Sequence, residues 1–246
     1  MSQVTETVIV TGSSSGIGLA VARAFLARGA SVVLHGRDAE KLERAADSLR
    51  SKGRIAAVAG DVREKATGEA LARAAVDRFG GLDVLVNNAG AFASRAFLDV
   101  GEEELDRYLS GNLRGAYLAT QAAVRTMKER GGGGAIVNIG TVLVDHAVAG
   151  LPASAPIVSK GGIQALTVSL AAELARDQIR VNMVSPGIVR TPLHAGADLD
   201  ALGSLALLDR VAEAGEIADA VLYLARAAFV TGQVLRVDGG FVSGRA

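Results

Sequence analysis

Short runs of consecutive apolar residues recur along this chain, and each is followed by a longer stretch whose apolar positions return every three or four residues. An unbroken apolar run of four to six residues predicts a strand buried on both faces, and the longer spacing predicts a helix laid over it. The strands expected on this pattern are Thr7 to Val10, Ser31 to Leu34, Ile55 to Ala59, Val84 to Val86, Ala135 to Ile139, Ile179 to Val184 and Val234 to Val237. Gly16 to Arg28 is expected to be helical, with Ile17, Val21, Ala24 and Phe25 on one face and Gly29 as its stop. Asp38 caps a second helix that buries Leu42, Ala45 and Leu49 and ends by Gly53. Further helices are predicted over Glu64 to Phe79, Glu102 to Arg130, Ala155 to Arg176 and Ala214 to Arg226. Gly131 to Gly134 reads as a loop, because a buried strand follows at once. The alternation predicts an α/β fold, a doubly wound, mostly parallel, seven-stranded sheet with helices on both faces. No repeat and no break divides the chain, so residues 1–246 are expected to form a single domain.

The first strand runs through Thr11-Gly12-Ser13-Ser14-Ser15-Gly16-Ile17-Gly18 directly into a helix. Glycines there permit a tight backbone, admit a pyrophosphate close to the main chain and let the helix pack on its strand. The helix N-terminus offers N–H groups and a positive dipole end to phosphate. A strand before and a helix after make this a dinucleotide-binding prediction rather than a mere turn. Composition narrows the partners. Half of the residues are hydrophobic, the formal net charge is zero and no basic block occurs, which argues against nucleic acid. The absence of cysteine excludes disulfides, thiol nucleophiles and cysteine metal sites. Three histidines without H-x-x-x-H spacing or clustered acids predict no metal. Met1 to Thr7 is polar, and no stretch has the roughly 18 uninterrupted apolar residues of a membrane helix, so a soluble cytoplasmic protein with a small-molecule partner is expected.

Further stretches follow the glycine turn in a fixed order: Asn87-Asn88-Ala89-Gly90, Asn112, Lys160, Ser185-Pro186-Gly187 with Thr191, Thr231-Gly232-Gln233 and Asp238-Gly239-Gly240. Together they resemble the short-chain dehydrogenase/reductase family over nearly the whole chain. The resemblance implies a Rossmann fold and a nicotinamide dinucleotide held by Gly12, Ser14, Ser15, Gly16, Ile17, Gly18, Asp61, Val62, Asn88, Ala89, Gly90, Lys160, Pro186, Gly187, Ile188 and Thr191. It also implies a short substrate lid at about 188–212, here rich in leucine, and a homodimer or homotetramer paired through the two long helices. Gly161, Gly162 and Ala165 would permit close approach at that helix surface, or on the chain's own sheet.

The end of the second strand, Val33-Leu34-His35-Gly36-Arg37-Asp38, bears on the choice of dinucleotide. An NAD site places an acid there for the ribose 2′-hydroxyl. By the family's register that position is Gly36, and Arg37 follows. A guanidinium suits a 2′-phosphate, so NADP(H) is expected over NAD(H). Ser15 counts the other way, since many NADP-using relatives carry a second basic residue there. Arg37 as a solvated loop charge is the alternative.

Hydride transfer to a carbonyl needs a proton donor at the developing alkoxide. The family resemblance assigns that task to a tyrosine four residues before a lysine, assisted by a serine and an asparagine. Here Lys160 and Asn112 are in place, Thr141 occupies the serine position, and Pro156 stands four residues before Lys160. Threonine keeps a hydroxyl. Proline has nothing to titrate, although a helix's first turn tolerates it. Tyr108, Tyr117 and Tyr223 lie at other spacings and read as packing residues. His146, beside Asp145 in the loop after Thr141, is the candidate substitute acid, because imidazole titrates near neutrality; an exposed loop histidine is the alternative. His194 has a weaker claim, Ser154 reads as a helix N-cap and His35 as a residue near the adenosine end. The candidate catalytic set is Asn112, Thr141, Lys160 and His146. Two functions follow: an NADP(H)-dependent oxidoreductase on an unidentified alcohol or carbonyl, or a dinucleotide-binding sensor without turnover. An elimination or isomerisation in the same pocket is a third.

Overall fold

The computed structural model describes residues 6–244. Seven parallel strands form the sheet: β1 (Thr7–Val10), β2 (Ser31–Gly36), β3 (Ile55–Ala59), β4 (Val84–Asn87), β5 (Gly134–Ile139), β6 (Ile179–Pro186) and, last in the chain, β9 (Val234–Val237). Their order across the sheet is β3-β2-β1-β4-β5-β6-β9. Alternate residues of each strand feed opposite cores, which is why the runs are mostly apolar on both faces. Val8, Val10, Val32, Leu34, Val84 and Val86 pack under α1 (Gly16–Leu26), α2 (Ala39–Leu49) and α8 (Ala214–Arg226). Ile9, Val33, Leu85 and Ile136 pack under α3 (Lys65–Phe79), α5 (Gly115–Arg130) and α6 (Ser154–Glu173). Each such side chain contributes about 1.5–3 kcal/mol of burial. The chain winds outward from β1 to β3 and then returns to β4 beside β1. That reversal opens a crevice beyond the carboxyl ends of β1 and β4, where α/β sheets bind ligands.

Three local features depart from the sequence expectations. The helix expected over 102–130 is α4 (Glu102–Tyr108), a six-residue π-helical turn (Leu109–Arg114) and α5. An extra residue in a helical turn hardly disturbs the polar pattern, so the sequence does not announce it; such turns often mark functional sites. Ser154 is not an N-cap. Ala153 holds that place, and no side chain caps the helix. Gly162 serves the chain's own packing, since a Cβ there would meet Leu113 Cδ2 at 2.7 Å. Asp38 does cap α2, accepting from Lys41 N at 2.9 Å.

The segment after β6 leaves and rejoins the body at one point. β7 (Val189–Arg190) pairs in parallel with β8 (Ala212–Glu213), and Arg190 Nε donates to Glu213 Oε1 at 2.8 Å. Between them lie Thr191, a 3₁₀ turn (Pro192–His194) and α7 (Leu199–Gly203). None of the described helices is long and apolar enough to cross a membrane.

Candidate functional site

The glycine turn is held to β4 by side chains of both. Thr11 Oγ1 accepts from the N–H groups of Asn88 and Ala89, both at 3.0 Å. Asn88 Nδ2 donates to Thr11 O at 2.9 Å and Gly12 O at 3.0 Å. Gly12 and Gly16 adopt φ of +63° and +56°, a region open to glycine at little cost. A Cβ at Gly18 would overlap Asn88 Nδ2 and Gly12 O. On the other side, His35 braces the turn. Its Nδ1 accepts from Gly12 N–H at 3.1 Å, which leaves Nε2 to donate to Gly60 O at 3.1 Å. Burial pushes the His35 pKa below its ordinary value, so the neutral ring is the one that fits. His35 is thus a strut of the turn, a role that a lone histidine in an apolar run did not signal.

The cradle that results fits a dinucleotide. Ser15 at the head of α1 makes no side-chain cap, and no acid lies in the first turn, so the N–H groups and the dipole are left for an anion. A Cβ added at Gly16 would face Thr191 Cβ and Cγ2 at 3.5 Å, so the cradle lies between Ser14-Ser15-Gly16-Ile17 and the segment after β7. Pro186 ends β6, Gly187 lies close against Asp238, and Ile188 O accepts from Ala212 N at 2.9 Å. At the far end of the crevice Ser14 abuts Gly36, with a built Cβ at 3.3 Å from Ser14 Oγ. Arg37 is exposed and takes part in none of the ion pairs among the described residues. Asp61 is engaged by Arg63 at 2.6 Å, and that hydrogen bond, with lesser help from Arg37, holds the Asp61 carboxyl below its ordinary range. Arg63, two residues after Asp61, carries no signal in sequence beyond that spacing. Val62 is buried, and a Cβ at Gly115 would meet Val62 Cγ1 at 2.8 Å, so that glycine admits the loop after β3 to α5.

At the other end, three elements converge on Lys160. Its Nζ donates to Ile139 O at 2.7 Å, at the exit of β5 two residues before Thr141. A side chain built on Gly90 would lie 3.0 Å from Asn112 Oδ1 and 3.2 Å from Lys160 Nζ, so both flank that glycine. Surrounding protein strips water from the ammonium and lowers its pKa to about 8. Asn112 sits in the π turn with its side chain fully engaged: Oδ1 accepts from Ala91 N at 2.8 Å, and Nδ2 donates to Ala91 O at 3.0 Å and Ser159 Oγ at 2.9 Å. Ser159, unflagged in the sequence, donates in turn to Pro156 O at 2.8 Å, and Pro156 itself is buried. Thr141 Oγ1 accepts from Leu143 N at 3.3 Å, leaving its own proton to donate.

His146 is exposed, and its ring meets Phe241 edge-on at 5.8 Å between centroids. Among the described residues no hydrogen bond joins it to Thr141 or Lys160. Its neighbour Asp145 is committed to Arg236, with Oδ2 at 2.8 Å from the guanidinium. His194 Nδ1 lies 2.9 Å from Val189 O. Tyr108 is buried in α4, while Tyr117 and Tyr223 are half exposed on α5 and α8. Among the described residues no group of three or more histidines and acids could hold a metal.

A family profile described as "Enoyl-(Acyl carrier protein) reductase" matches residues 12–242. The chain is 38% identical over 240 residues to a 3alpha-hydroxysteroid dehydrogenase of Mediterraneibacter gnavus, covering 94% of both chains. It is 38% identical over 247 residues to an L-rhamnose 1-dehydrogenase (NAD(P)(+)) of Azotobacter vinelandii, covering 96% of both. The crystal structure of a short-chain type dehydrogenase/reductase from Mycobacterium marinum superposes with a TM-score of 0.93 at 33% identity, covering 98% of this chain and 97% of that one.

Proposed function

The chain belongs to the short-chain dehydrogenase/reductase family, and we propose that it is an NADP(H)-dependent oxidoreductase interconverting a ring-borne secondary alcohol and its ketone. The observation that carries this reading is the alignment of two half-sites along one crevice: an uncapped α1 N-terminus at one end, and Lys160 with Thr141 at the exit of β5 at the other. A nicotinamide dinucleotide, when bound, supplies or takes up the hydride. The chain's own residues do the rest. The first turn of α1 binds phosphate, the Thr141 hydroxyl donates a hydrogen bond to the substrate oxygen, and Asn112 with Ser159 fixes the Gly90 loop and α6 against each other. Arg37 supports NADP(H), because it is a cation without an ion-pair partner among the described residues, next to Gly36, where an acid would be needed for NAD.

The substrate class rests on two supports. One named relative is a dehydrogenase of a 3alpha-hydroxysteroid, a ring-borne secondary alcohol, and the segment between β7 and β8 exposes Leu193, Leu205, Leu207 and Leu208, an apolar covering suited to an alicyclic body. We read that segment as the substrate lid. Tyr117, Val158 and Val168 are exposed apolar residues on α5 and α6 and support pairing of two copies through these helices, which light scattering would test.

Pro156 favours a second reading, a dinucleotide-binding protein without turnover, because the position expected to carry a phenol carries none. NADPH oxidation with cyclohexanone and a 3-ketosteroid, for wild type and Pro156→Tyr, separates the two. Turnover by the wild type supports the oxidoreductase. Turnover only after Pro156→Tyr, with NADPH bound by both proteins, supports the sensor.

A further inference from the structure

The oxidoreductase reading requires a proton to reach the nascent alkoxide, and the position from which a phenol would give it is filled by Pro156. Pro156 is buried in the first turn of α6, and its only polar atom accepts from Ser159. The next candidate, His146, turns its ring to Phe241 at the protein surface. Lys160 is differently placed. Its side chain is partly exposed, yet its Nζ is tied to a single acceptor, Ile139 O, among the described residues. An ammonium has three protons, so two remain for other partners. Its flanking groups, the Gly90 backbone and the Asn112 amide, are neutral. We propose that Lys160 is itself the general acid and base of this active site, exchanging a proton between Nζ and the substrate oxygen, directly or through one water.

The step balances. In reduction the carbonyl carbon gains the hydride that the dinucleotide supplies, and the oxygen gains a proton from Nζ. Lys160 is left as a neutral amine and recovers its proton from solvent. In oxidation the neutral amine takes the hydroxyl proton as hydride leaves the same carbon. A general acid works best with a pKa near the working pH, and desolvation has brought this ammonium to about 8. No carboxylate opposes that shift. On neighbouring elements Glu104 is engaged by Arg95 at 2.6 Å and Asp145 by Arg236, and Glu102, Glu103 and Asp106 of α4 are exposed to solvent. Arg114 of the π turn donates to Arg63 O at 2.8 Å, and His146 is the remaining titratable group of the loop after β5.

The inference rests on the oxidoreductase reading, and the test keeps the two apart. Wild type, Lys160→Arg and Lys160→Met are compared for NADP⁺ affinity, for reduction of cyclohexanone and a 3-ketosteroid from pH 6 to 10, and for lysine side-chain titration by NMR without cofactor. The chain has five lysines, so the Lys160 signal is assigned by its loss in Lys160→Arg. The expected results are a Lys160 titration near pH 8, a reduction rate that is flat below that pH and falls tenfold per unit above it, and loss of about 10²–10⁴ in rate in both variants. Arginine keeps the charge but cannot release a proton, so Lys160→Arg should still bind NADP⁺. Turnover retained in Lys160→Arg, or Lys160 titrating above pH 10, overturns the assignment alone. So does a pH-rate limb that disappears in His146→Ala. A wild type that binds NADP⁺ and reduces neither ketone overturns the oxidoreductase reading, and the assignment with it.

Discussion

Replacing His35 tests how the dinucleotide cradle is built. The ring is 1% exposed and carries two hydrogen bonds, from Gly12 N–H to Nδ1 and from Nε2 to Gly60 O. His35→Leu strands both backbone groups. At about 1–3 kcal/mol for each unsatisfied partner, the variant should lose roughly 2–6 kcal/mol of stability. His35→Asn separates the two bonds, because the amide oxygen can take the place of Nδ1 while nothing reaches Gly60; the loss should be about 1–2 kcal/mol. Acid should act on the same bond in the wild type. Protonating Nδ1 removes the acceptor of Gly12 N–H, and burial disfavours the imidazolium, so the folded pKa lies below the unfolded 6.5. The contribution is therefore fully present above pH 6.5. It declines as pH falls from 6.5 toward the folded pKa, by at most about 1.4 kcal/mol per pH unit. Urea denaturation and NADP⁺ titration at pH 5.5, 6.5 and 7.5 would read both consequences. His35→Asn should show a lower plateau and lose this part of the acid-side decline. An acid-side decline identical in wild type and His35→Asn would refute the argument.

Other residues give equally direct expectations. Gly18→Ala should reduce NADP⁺ affinity more than tenfold and lower stability by about 1–3 kcal/mol, because its methyl enters the space of Asn88 Nδ2 and Gly12 O; calorimetric titration and a melting curve would check both. Arg37→Ala should raise the Kd for NADP⁺ roughly 10- to 100-fold with little change for NAD⁺, measured by fluorescence titration of each. Arg180→Met should lower stability by about 2 kcal/mol while sparing dinucleotide affinity, since its guanidinium donates at 2.5 Å to Ala225 O and 2.7 Å to Leu224 O at the end of α8, far from the crevice.

Most of the sheet was legible because a strand buried on both faces is apolar at most of its positions. Val8-Ile9-Val10 divides its side chains between two cores, and nothing but a parallel sheet between helices asks for that. The glycine turn was legible because backbone geometry and close approach restrict it to few residue types. What escaped was whatever depends on contacts between distant segments. Buried Asn138 accepts from Asn87 Nδ2 at 2.9 Å and donates to Thr167 Oγ1 at 2.9 Å, joining β4, β5 and α6, yet in sequence it is one polar residue in a strand. Ser159 reads as an ordinary helix residue until Asn112 arrives from the π turn. β7 and β8, two residues each, are too short to leave a periodic signal.

Those two short strands have a consequence for the protein's descent. Because Val189 pairs with Ala212 and Arg190 with Glu213, the residues between them start and finish at neighbouring points on the rim. Lengthening such a loop is cheap; even doubling it costs only about 0.6 kcal/mol of closure entropy. Its leucines can therefore be exchanged, or the loop remade, without moving the first turn of α1 or the anchor of Lys160. Beyond Thr191, which faces Gly16, that interval can vary in length and sequence while the sheet and its helices stay fixed, and a laboratory could graft there the corresponding interval of a relative.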